Sequence, residues 1–397
     1  MAMTALIDDS EAALSSQTRS RIASVDILTD LAVAEPIWRS LETPEAFTTP
    51  YQRFDLQSAY QRHVGTLEGM TPFVIVAYDV NREPLMVLPL GMRHDNGVRV
   101  AQAFGGKHCT FNMPLWNRDF ALSATRADLD ALMAGIKVHP VKADVLALAR
   151  QPANWMDINN PMALLPHQAS INDCPLLIMT PGAPPADRLS NSFRRRLKGK
   201  ERKLQAQPGY SSFIAKDDAE VKRVLDAFFT YKPLRMAEQK LPDVFAEDGI
   251  EAFIRDACSA KLDSGDRAIA LHALECDDEV IAMFAGVADG YRFSMMFNTY
   301  TLSANAKFSP GLILMRDIID HYAEQGYTTL DLGIGSDDYK RLFCKNDQLT
   351  FDSFLPLTTR GTIAAVGLSS LTRAKRLVKQ TPALMQMTQM LRNAFRR

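Results

Sequence analysis

One segment constrains the fold of this chain more than any other: residues 268–333 combine three closely spaced strand patterns, a helix and a further strand. The first three are apolar runs rich in strand-forming residues, namely AIALHALE (268–275), VIAMFAGV (280–287) and YRFSMMFN (291–298). The pair Asp289-Gly290 is a strong signal for a two-residue hairpin turn. The three strands are therefore predicted to form an antiparallel meander.

A helix is predicted directly after the meander. Ser309 suits the N-cap, and Pro310 suits the first helical position, where a missing amide costs nothing. Gly326 is placed to end this helix, and residues 328–333 (TTLDLG) form a short buried strand. A strand–helix–strand return is right-handed and usually parallel, so the sheet is mixed with a parallel step. Two further elements complete the order, a short helix and a closing strand: 338–344 and 350–357.

The first half of the chain shows a fainter copy of this order. Its predicted strands and helix are 73–78, 85–90, 98–103, 127–137 (helix) and 143–149. We interpret the chain as an α/β protein of the α+β mixed-sheet type with an architectural duplication. The predicted divisions are a flexible N-terminus (1–22), an N-terminal domain (23–180), a C-terminal domain (181–360) that opens with a basic linker helix (188–207), and a basic helical tail (361–397).

Composition fits two ordinary domains and sets limits on partners. The chain has 397 residues, 47 % of them hydrophobic, which is enough for two cores. The formal net charge of -1 predicts no general affinity for polyanions. The five cysteines are scattered and odd in number, so we expect free thiols in a reducing compartment and no metal site. The N-terminus lacks a signal-peptide pattern, and a cytoplasmic location is expected.

The segment Phe308-Ser309-Pro310-Gly311-Leu312 is the first candidate site. A helix N-terminus presents unpaired amides and a partial positive charge, so it can hold a pyrophosphate. Gly311 would let the backbone approach such a group closely. The alternative is an ordinary capped helix start, since one glycine is a weak phosphate signal.

The end of the following strand is the second candidate. Asp331 and Gly333 lead to Tyr339 and Lys340, so a carboxylate, a phenol and an ammonium lie close together in sequence. Ligands in α/β sheets favour the carboxyl ends of strands. Tyr339 could protonate a leaving thiolate, and Asp331 could accept a proton from an incoming amine or orient that amine. The alternative is that Asp331 caps a helix, Tyr339 packs and Lys340 is solvated.

The loop at residues 105–109 (GGKHC) follows a predicted strand and is expected to line a cleft. A lone His-Cys pair is more often structural than nucleophilic. We assign substrate binding to Gly106 and His108 here, and to Asn298 and Gly333 in the second half.

The densest charge run, residues 194–203, could attract phosphates of a cofactor, an anionic glycan or RNA. The alternative is a solvated helix face around a Leu/Phe stripe, and no aromatic residues are interleaved for base stacking. The motifs GxxxxGK[ST], GxSxG and HExxH do not occur.

Four segments resemble the CelD-type branch of the GNAT acetyltransferases, which is named for cellulose-biosynthesis proteins. They are FGGKHCTFNMPLW (104–116), SNSFRRRLKGKERKL (190–204), FSPGLILMRDII (308–319) and DLGIGSDDYKRLFC (331–344). The resemblance covers roughly residues 30–358. It implies two GNAT-like domains in tandem, similar more distantly to the Fem-type peptidyltransferases, with a CoA thioester as the donor.

Carried over by residue, the resemblance places Ser309, Pro310 and Gly311 at the start of the donor helix. It places the strand-end and YK motif at Asp331, Gly333, Tyr339 and Lys340. The Arg/Gln-x-x-Gly-x-Gly/Ala loop typical of GNAT enzymes is replaced by AKFSPGL.

The resemblance implies transfer of an acyl group, acetyl in the first instance, from CoA to an amine or hydroxyl of a small molecule or glycan. Polysaccharide or cell-envelope biosynthesis is the expected setting. One alternative is a Fem-like transferase that uses aminoacyl-tRNA, and it is the one case in which a nucleic acid would bind. Another is a catalytically silent partner of a polysaccharide-assembly system.

The tail, residues 361–397, has seven basic residues and no acidic residue. Its second half, Leu384–Phe395, has an apolar helical face, as expected for weak contact with an anionic membrane or a protein. The alternative is that this face packs on the body of the protein.

Overall fold

The structure, a computed structural model, describes residues 20–335 and 339–381. The strands are β1 Ser24–Leu28, β2 Thr71–Pro72, β3 Val74–Tyr78, β4 Pro84–Leu88, β5 Leu90–Asp95, β6 Val98–Ala103, β7 Leu115–Trp116, β8 Val145–Pro152, β9 Asn154–Trp155, β10 Ile158–Asn159, β11 Gln168–Ala169, β12 Cys174–Ile178, β13 Ser211–Ile214, β14 Ala270–Cys276, β15 Glu279–Ala288, β16 Arg292–Tyr300, β17 Thr329–Asp331, β18 Asn346–Gln348 and β19 Thr350–Pro356. The α-helices are α1 Leu31–Ser40, α2 Phe54–Tyr60, α3 Arg118–Ser123, α4 Arg126–Val138, α5 Pro185–Arg188, α6 Asn191–Gln205, α7 Asp218–Glu238, α8 Ile250–Ser259, α9 Pro310–Glu324, α10 Lys340–Phe343 and α11 Thr359–Gln380.

The same order of elements occurs twice, which confirms the predicted duplication. In the second half β14, β15 and β16 run antiparallel, α9 follows, and β17 returns parallel to β16. In the first half β3 and β4 are antiparallel, β5 and β6 are antiparallel, and β8 returns parallel to β6 after α3 and α4. Only Pro89 separates β4 from β5. Because proline has no amide to donate, the ladder is interrupted there and the first half spreads over two sheets.

The two halves exchange their closing strands. The strand predicted at 350–357 exists as β19, but it pairs with β8 in the first half's sheet, so the prediction that it closes the C-terminal sheet is wrong. In return, β12 from the first half lies between β17 and β18. Each exchanged strand covers an edge that would otherwise expose unpaired backbone groups. The predicted divisions 23–180 and 181–360 follow chain order and do not contain this exchange.

Buried apolar side chains continue from one half into the other. The ring of Tyr60 on α2 meets that of Phe253 on α8 edge-on, with 5.3 Å between the centroids. Phe228 on α7 lies 4.8 Å from Phe297 on β16 by the same measure. Burying a side chain of this size stabilises the fold by about 1.5–3 kcal/mol. The two halves therefore share a core, and α7 and α8, which the sequence patterns did not predict, form part of it.

The predicted basic helix is present as α6, preceded by the short α5. Its apolar stripe is buried as expected at Leu189, Leu197 and Leu204. The five cysteines are free and buried. In the described ranges, no helix combines the length and apolar character that a membrane crossing requires.

The first half of the predicted tail is α11, which lies against β19 and β8. The second predicted tail helix, 384–395, lies outside the described residues, as does the N-terminal segment 1–19.

Candidate active site

The candidate site lies where β16 and β17 stop pairing. Their parallel ladder covers only Arg292–Ser294 opposite Thr329–Asp331. The strand β16 continues to Tyr300 with no neighbouring strand on that side among residues 20–335 and 339–381. A register shift against β15 leaves Met296 as an extra residue, so β16 carries a bulge at this point. The result is an open strand edge beside a cavity of about 270 Å³.

Asp331 lies at the last paired position between β16 and β17, with its side chain in the protein interior. Its carboxylate accepts hydrogen bonds from the Ser294 hydroxyl at 2.5 Å, the Gly333 amide at 3.1 Å and the Cys174 thiol at 3.6 Å. The residue is fully buried, and burial raises the pKa of its carboxyl group. Asp331 does not line the cavity, so the structure places it behind the site, where it fixes the strand end.

Lys340 is also internal. Its ammonium donates to the carbonyl oxygens of Gly333 at 3.1 Å and Ile334 at 3.2 Å. The side chain is buried, which contradicts the alternative of a solvated lysine. A cation held by these carbonyls ties α10 to the loop that leaves β17, and this fixes the neighbouring Tyr339.

Tyr339 does line the cavity, together with Asn298, Ser309, Gly311 and Leu312. Its phenolic oxygen accepts a hydrogen bond from the Asn298 amide at 3.3 Å. The structure thus brings the predicted general acid and three residues of the predicted donor helix start to one cavity. Asn298, predicted to bind substrate, belongs to this group and orients the phenol.

The start of α9 differs in detail from the prediction. Ser309 has left-handed backbone angles (φ 57°, ψ 54°), and its side chain does not cap the helix. The carbonyl oxygen of Ser309 accepts hydrogen bonds from the backbone amides of Leu312 and Ile313. Pro310 has no amide, and the Gly311 amide has no backbone acceptor within the described part of the chain. Among the described residues the Gly311 amide therefore has no partner, and it lies at the cavity, at the positive end of a helix of 15 residues.

Two further residues of this segment do not line the cavity. Phe308 is half-buried against the core of this half, and Pro310 is buried. Steric space does not require a glycine at position 311, because an added Cβ would lie 3.6 Å from the Tyr300 ring, which is an ordinary contact distance.

The basic helix α6 reaches this site through one residue. The ammonium of Lys200 donates to the Ser309 hydroxyl at 2.7 Å. Arg194 pairs with Asp320 on α9 at 2.6 Å, which holds the two helices side by side. Part of the charge run is therefore neither solvated nor free, and Lys200 adds a positive charge beside the unpaired Gly311 amide.

A second, larger cleft of about 1070 Å³ lies on the first half's sheet. Gly106 and His108 line it, which confirms the predicted cleft-lining loop at 105–109. Gly105 and Gly106 both have positive φ, and a Cβ on Gly106 would lie 2.7 Å from the Tyr60 hydroxyl. Ile334, just after β17, lines the same cleft. Ile334 thus lines the cleft, and Tyr339, five residues later in the sequence, lines the cavity.

The four predicted substrate-binding residues thus occupy different places. Gly106 and His108 lie in the larger cleft, and Asn298 lies in the smaller cavity. Gly333 lines neither; it has φ 71°, and an added Cβ would lie 3.2 Å from the Met295 carbonyl. Sequence reasoning missed Arg150, which lines the larger cleft at the end of β8. An arginine ending the apolar alternation VLALAR was the available signal.

A family described as an acetyltransferase (GNAT) domain matches residues 191–341. No curated protein sequence matches the chain significantly.

Three solved structures are similar in fold. A conserved protein of unknown function from Bacteroides thetaiotaomicron has a TM-score of 0.50 and 11 % identity, over 83 % of this chain and 99 % of that one. The C-terminal domain of a putative lysylphosphatidylglycerol synthetase from Agrobacterium fabrum has a TM-score of 0.49 and 11 % identity, over 86 % and 96 %. FemX has a TM-score of 0.48 and 13 % identity, over 78 % and 96 %.

The match to the acetyltransferase (GNAT) domain family covers residues 191–341, most of the second half of the chain. The repeated element order in the first half makes the whole a tandem GNAT fold, as predicted. The finer resemblance to the CelD-type branch stays a prediction.

Proposed function

We propose that this protein transfers an acyl group, acetyl in the simplest case, from a CoA thioester to an amine or hydroxyl of a second substrate. The observation that supports this most is that Tyr339 and the unpaired amide of Gly311 line one cavity beside the open edge of β16. A thioester donor needs an anion-binding end and a proton source for its departing sulfur, and this cavity offers both.

In this proposal the donor's pyrophosphate binds at the start of α9. The Gly311 amide, the helix dipole and Lys200 all favour negative charge there. The amide-bearing arm of the donor lies along β16, whose unpaired backbone groups can bond it as an added strand would. The thioester carbonyl then lies near the bulge at Met296, where backbone amides can stabilise the oxyanion.

The acceptor's nitrogen or oxygen attacks the thioester carbon, a new N–C or O–C bond forms, and the C–S bond breaks. Tyr339 gives its proton to the departing thiolate, so CoA leaves as a thiol. The acceptor releases one proton to solvent, and the Tyr339 phenolate takes one up from solvent. Asp331 and Lys340 act as positioning residues, because both are buried behind the cavity, both bond Gly333, and Lys340 directly follows Tyr339. The acceptor is assigned to the larger cleft, which Ile334 lines.

Calorimetric titration with acetyl-CoA tests the donor. We expect saturable heat and a rise in melting temperature. Absence of both at millimolar ligand would remove the donor assignment.

A second candidate donor is aminoacyl-tRNA. Arg195, Arg196 and Lys198 on α6 are exposed, and they add a basic surface beside the site. Binding that falls steeply with salt and requires charged tRNA would select this donor, and indifference to tRNA would exclude it.

A catalytically silent role in polysaccharide assembly is the remaining alternative. Turnover of any acceptor that depends on Tyr339 would end it. A cytoplasmic setting in polysaccharide or envelope biosynthesis is part of the proposal and rests on the CelD-type resemblance. Radiolabelled acetyl transfer to amino-sugar oligosaccharides in a panel of acceptors tests that part.

A further inference from the structure

The larger cleft occupies the place in the first half that the donor cavity occupies in the second. The parallel ladder of β6 and β8 covers Val100–Gln102 opposite Val145–Ala147 and then stops. The cleft opens at that point and is lined by the strand ends. Here, however, β6 leads into a loop, and the next α-helix starts only at Arg118. The cleft therefore lacks the helix start that binds the donor in our proposal, and we expect it to bind a different ligand.

Arg150 is the basic residue built into this cleft, beside the buried Asp352. It ends the regular part of β8 with a left-handed backbone (φ 58°). Its guanidinium donates to the carbonyl of Gly106, and its backbone amide donates to the Asp352 carboxylate at 2.8 Å. That carboxylate also accepts from the Ser170 hydroxyl. Within residues 20–335 and 339–381 no carboxylate forms an ion pair with the half-buried Arg150 guanidinium, although the Asp352 carboxylate is near enough to favour its charge.

The other basic residues near the opening differ from Arg150. Arg93 pairs with Glu68 at 3.1 Å, and Lys107 pairs with Glu247 at 2.5 Å. Both pairs are well exposed to solvent, so they contribute little fixed charge to the interior. Arg150 is half-buried and has no direct ion pair in the described ranges, and a partly buried charge is costly unless neighbouring groups or a ligand compensate it.

Two neutral polar groups in the cleft also lack a bonding partner among the described residues. His108 Nε2 and Asn112 Oδ1 are buried and have no hydrogen-bond partner among the described residues, and both side chains line the cleft. Burial lowers the pKa of His108 to about 4, so its imidazole is neutral near neutral pH. An unsatisfied buried polar group costs about 1–3 kcal/mol, which a bound polar ligand would recover.

We propose that Arg150 binds an anionic group, a carboxylate or a phosphate, on the molecule that occupies the larger cleft, with His108 and Asn112 bonding polar groups beside that anion. The planar guanidinium suits both oxyanions, since each offers two oxygens to its fork of N–H donors. Calling this molecule the acceptor rests on the proposed function; the anion site itself does not.

The test measures binding of two probes, inorganic phosphate and acetate, at constant ionic strength. Calorimetry and thermal shift are recorded for the wild type, Arg150→Gln, Arg150→Lys and the control Arg93→Gln. We expect saturable binding of at least one probe by the wild type and by Arg93→Gln. The affinity of Arg150→Gln for that probe should be at least about tenfold lower, because the variant loses a pair of charge-assisted hydrogen bonds. The lysine variant should recover part of it.

The preferred probe identifies the source of the anion: phosphate points to a phosphorylated acceptor and acetate to a carboxylic one. Equal binding by Arg150→Gln and the wild type, or no binding of either probe by the wild type, would overturn the inference. If Arg150→Gln does not fold, phenylglyoxal modification of the wild type replaces it. Either probe should then protect Arg150 in the peptide map, and absence of protection counts against the site.

Coenzyme A is titrated into the same proteins. Arg150→Gln should bind it as the wild type does, because the donor cavity contains none of these residues. Arg150-dependent anion binding without coenzyme A binding would leave this inference standing and remove the donor assignment.

Discussion

The hydroxyl of Ser294 donates to Asp331 Oδ2 over 2.5 Å at the last paired position between β16 and β17. Both side chains are fully buried. The bond therefore joins the two strands at the point beyond which β16 stands open, and it sets where the donor cavity begins. It also explains why an aspartate at the carboxyl end of a strand need not be the catalytic base.

Ser294→Ala should lower the free energy of unfolding by about 1–3 kcal/mol, because a buried carboxyl group loses one donor. Urea unfolding near neutral pH measures this. Ser212→Ala, at an exposed position on β13, is the control and should change little. A loss of the same size in both variants would show that the bond has no special role.

Gly311→Asp should weaken coenzyme A binding by about tenfold to a hundredfold, since a carboxylate would face the place of the pyrophosphate. Gly311→Ala is the matched control, because its Cβ meets only the Tyr300 ring at an ordinary 3.6 Å. Calorimetry on both variants measures the difference. If the aspartate variant binds as tightly as the alanine variant, the helix start is only a structural element.

Tyr339→Phe should lower kcat by about 10²–10⁴-fold with little change in donor affinity, because the hydroxyl acts only when the thiolate leaves. Tyr300→Phe is the control from the same cavity. Acyl transfer is followed by release of the CoA thiol, and the buried cysteines of the protein give little background in a thiol assay. Equal kcat values for the two variants would mean that Tyr339 packs and the acid lies elsewhere.

His108→Gln should change how stability depends on pH. Burial lowers the pKa of His108 from 6.5 to about 4, so on acidification the unfolded chain takes up a proton that the native protein refuses. Stability is then lost as the pH falls below 6.5 towards about 4, by up to about 3 kcal/mol. Urea unfolding across this range should show a steeper loss for the wild type than for His108→Gln. An unchanged slope would contradict the buried neutral imidazole, and His94→Gln, on the exposed part of β5, is the control.

Local patterns predicted the repeated elements well. The end of α9 at Gly326 and a hairpin at Asp289-Gly290 depend on neighbouring residues only, and both occur, although the hairpin loop includes Tyr291 and is one residue longer than predicted. The exchange of β12 and β19 could not be predicted in this way, because strand partners far apart in sequence leave no local periodicity.

The candidate site was likewise predicted only in part from the sequence. Tyr339 and Gly311 were selected from motifs and do share a cavity. Whether Asp331 and Lys340 face that cavity or the interior depends on side-chain packing, which their spacing does not reveal. Arg150 was missed because its significance comes from the cleft that it lines and from the unsatisfied polar atoms of His108 and Asn112 in that cleft, which are properties of the folded protein alone.

A crystal structure with coenzyme A bound is the sharpest test of the proposed donor site. We predict the pyrophosphate at the Gly311 amide, with Lys200 close to it, and the thiol directed along β16 towards Tyr339. Coenzyme A bound with its pyrophosphate in the larger cleft at Arg150, or anywhere away from the start of α9, would show that the proposed donor site is wrong.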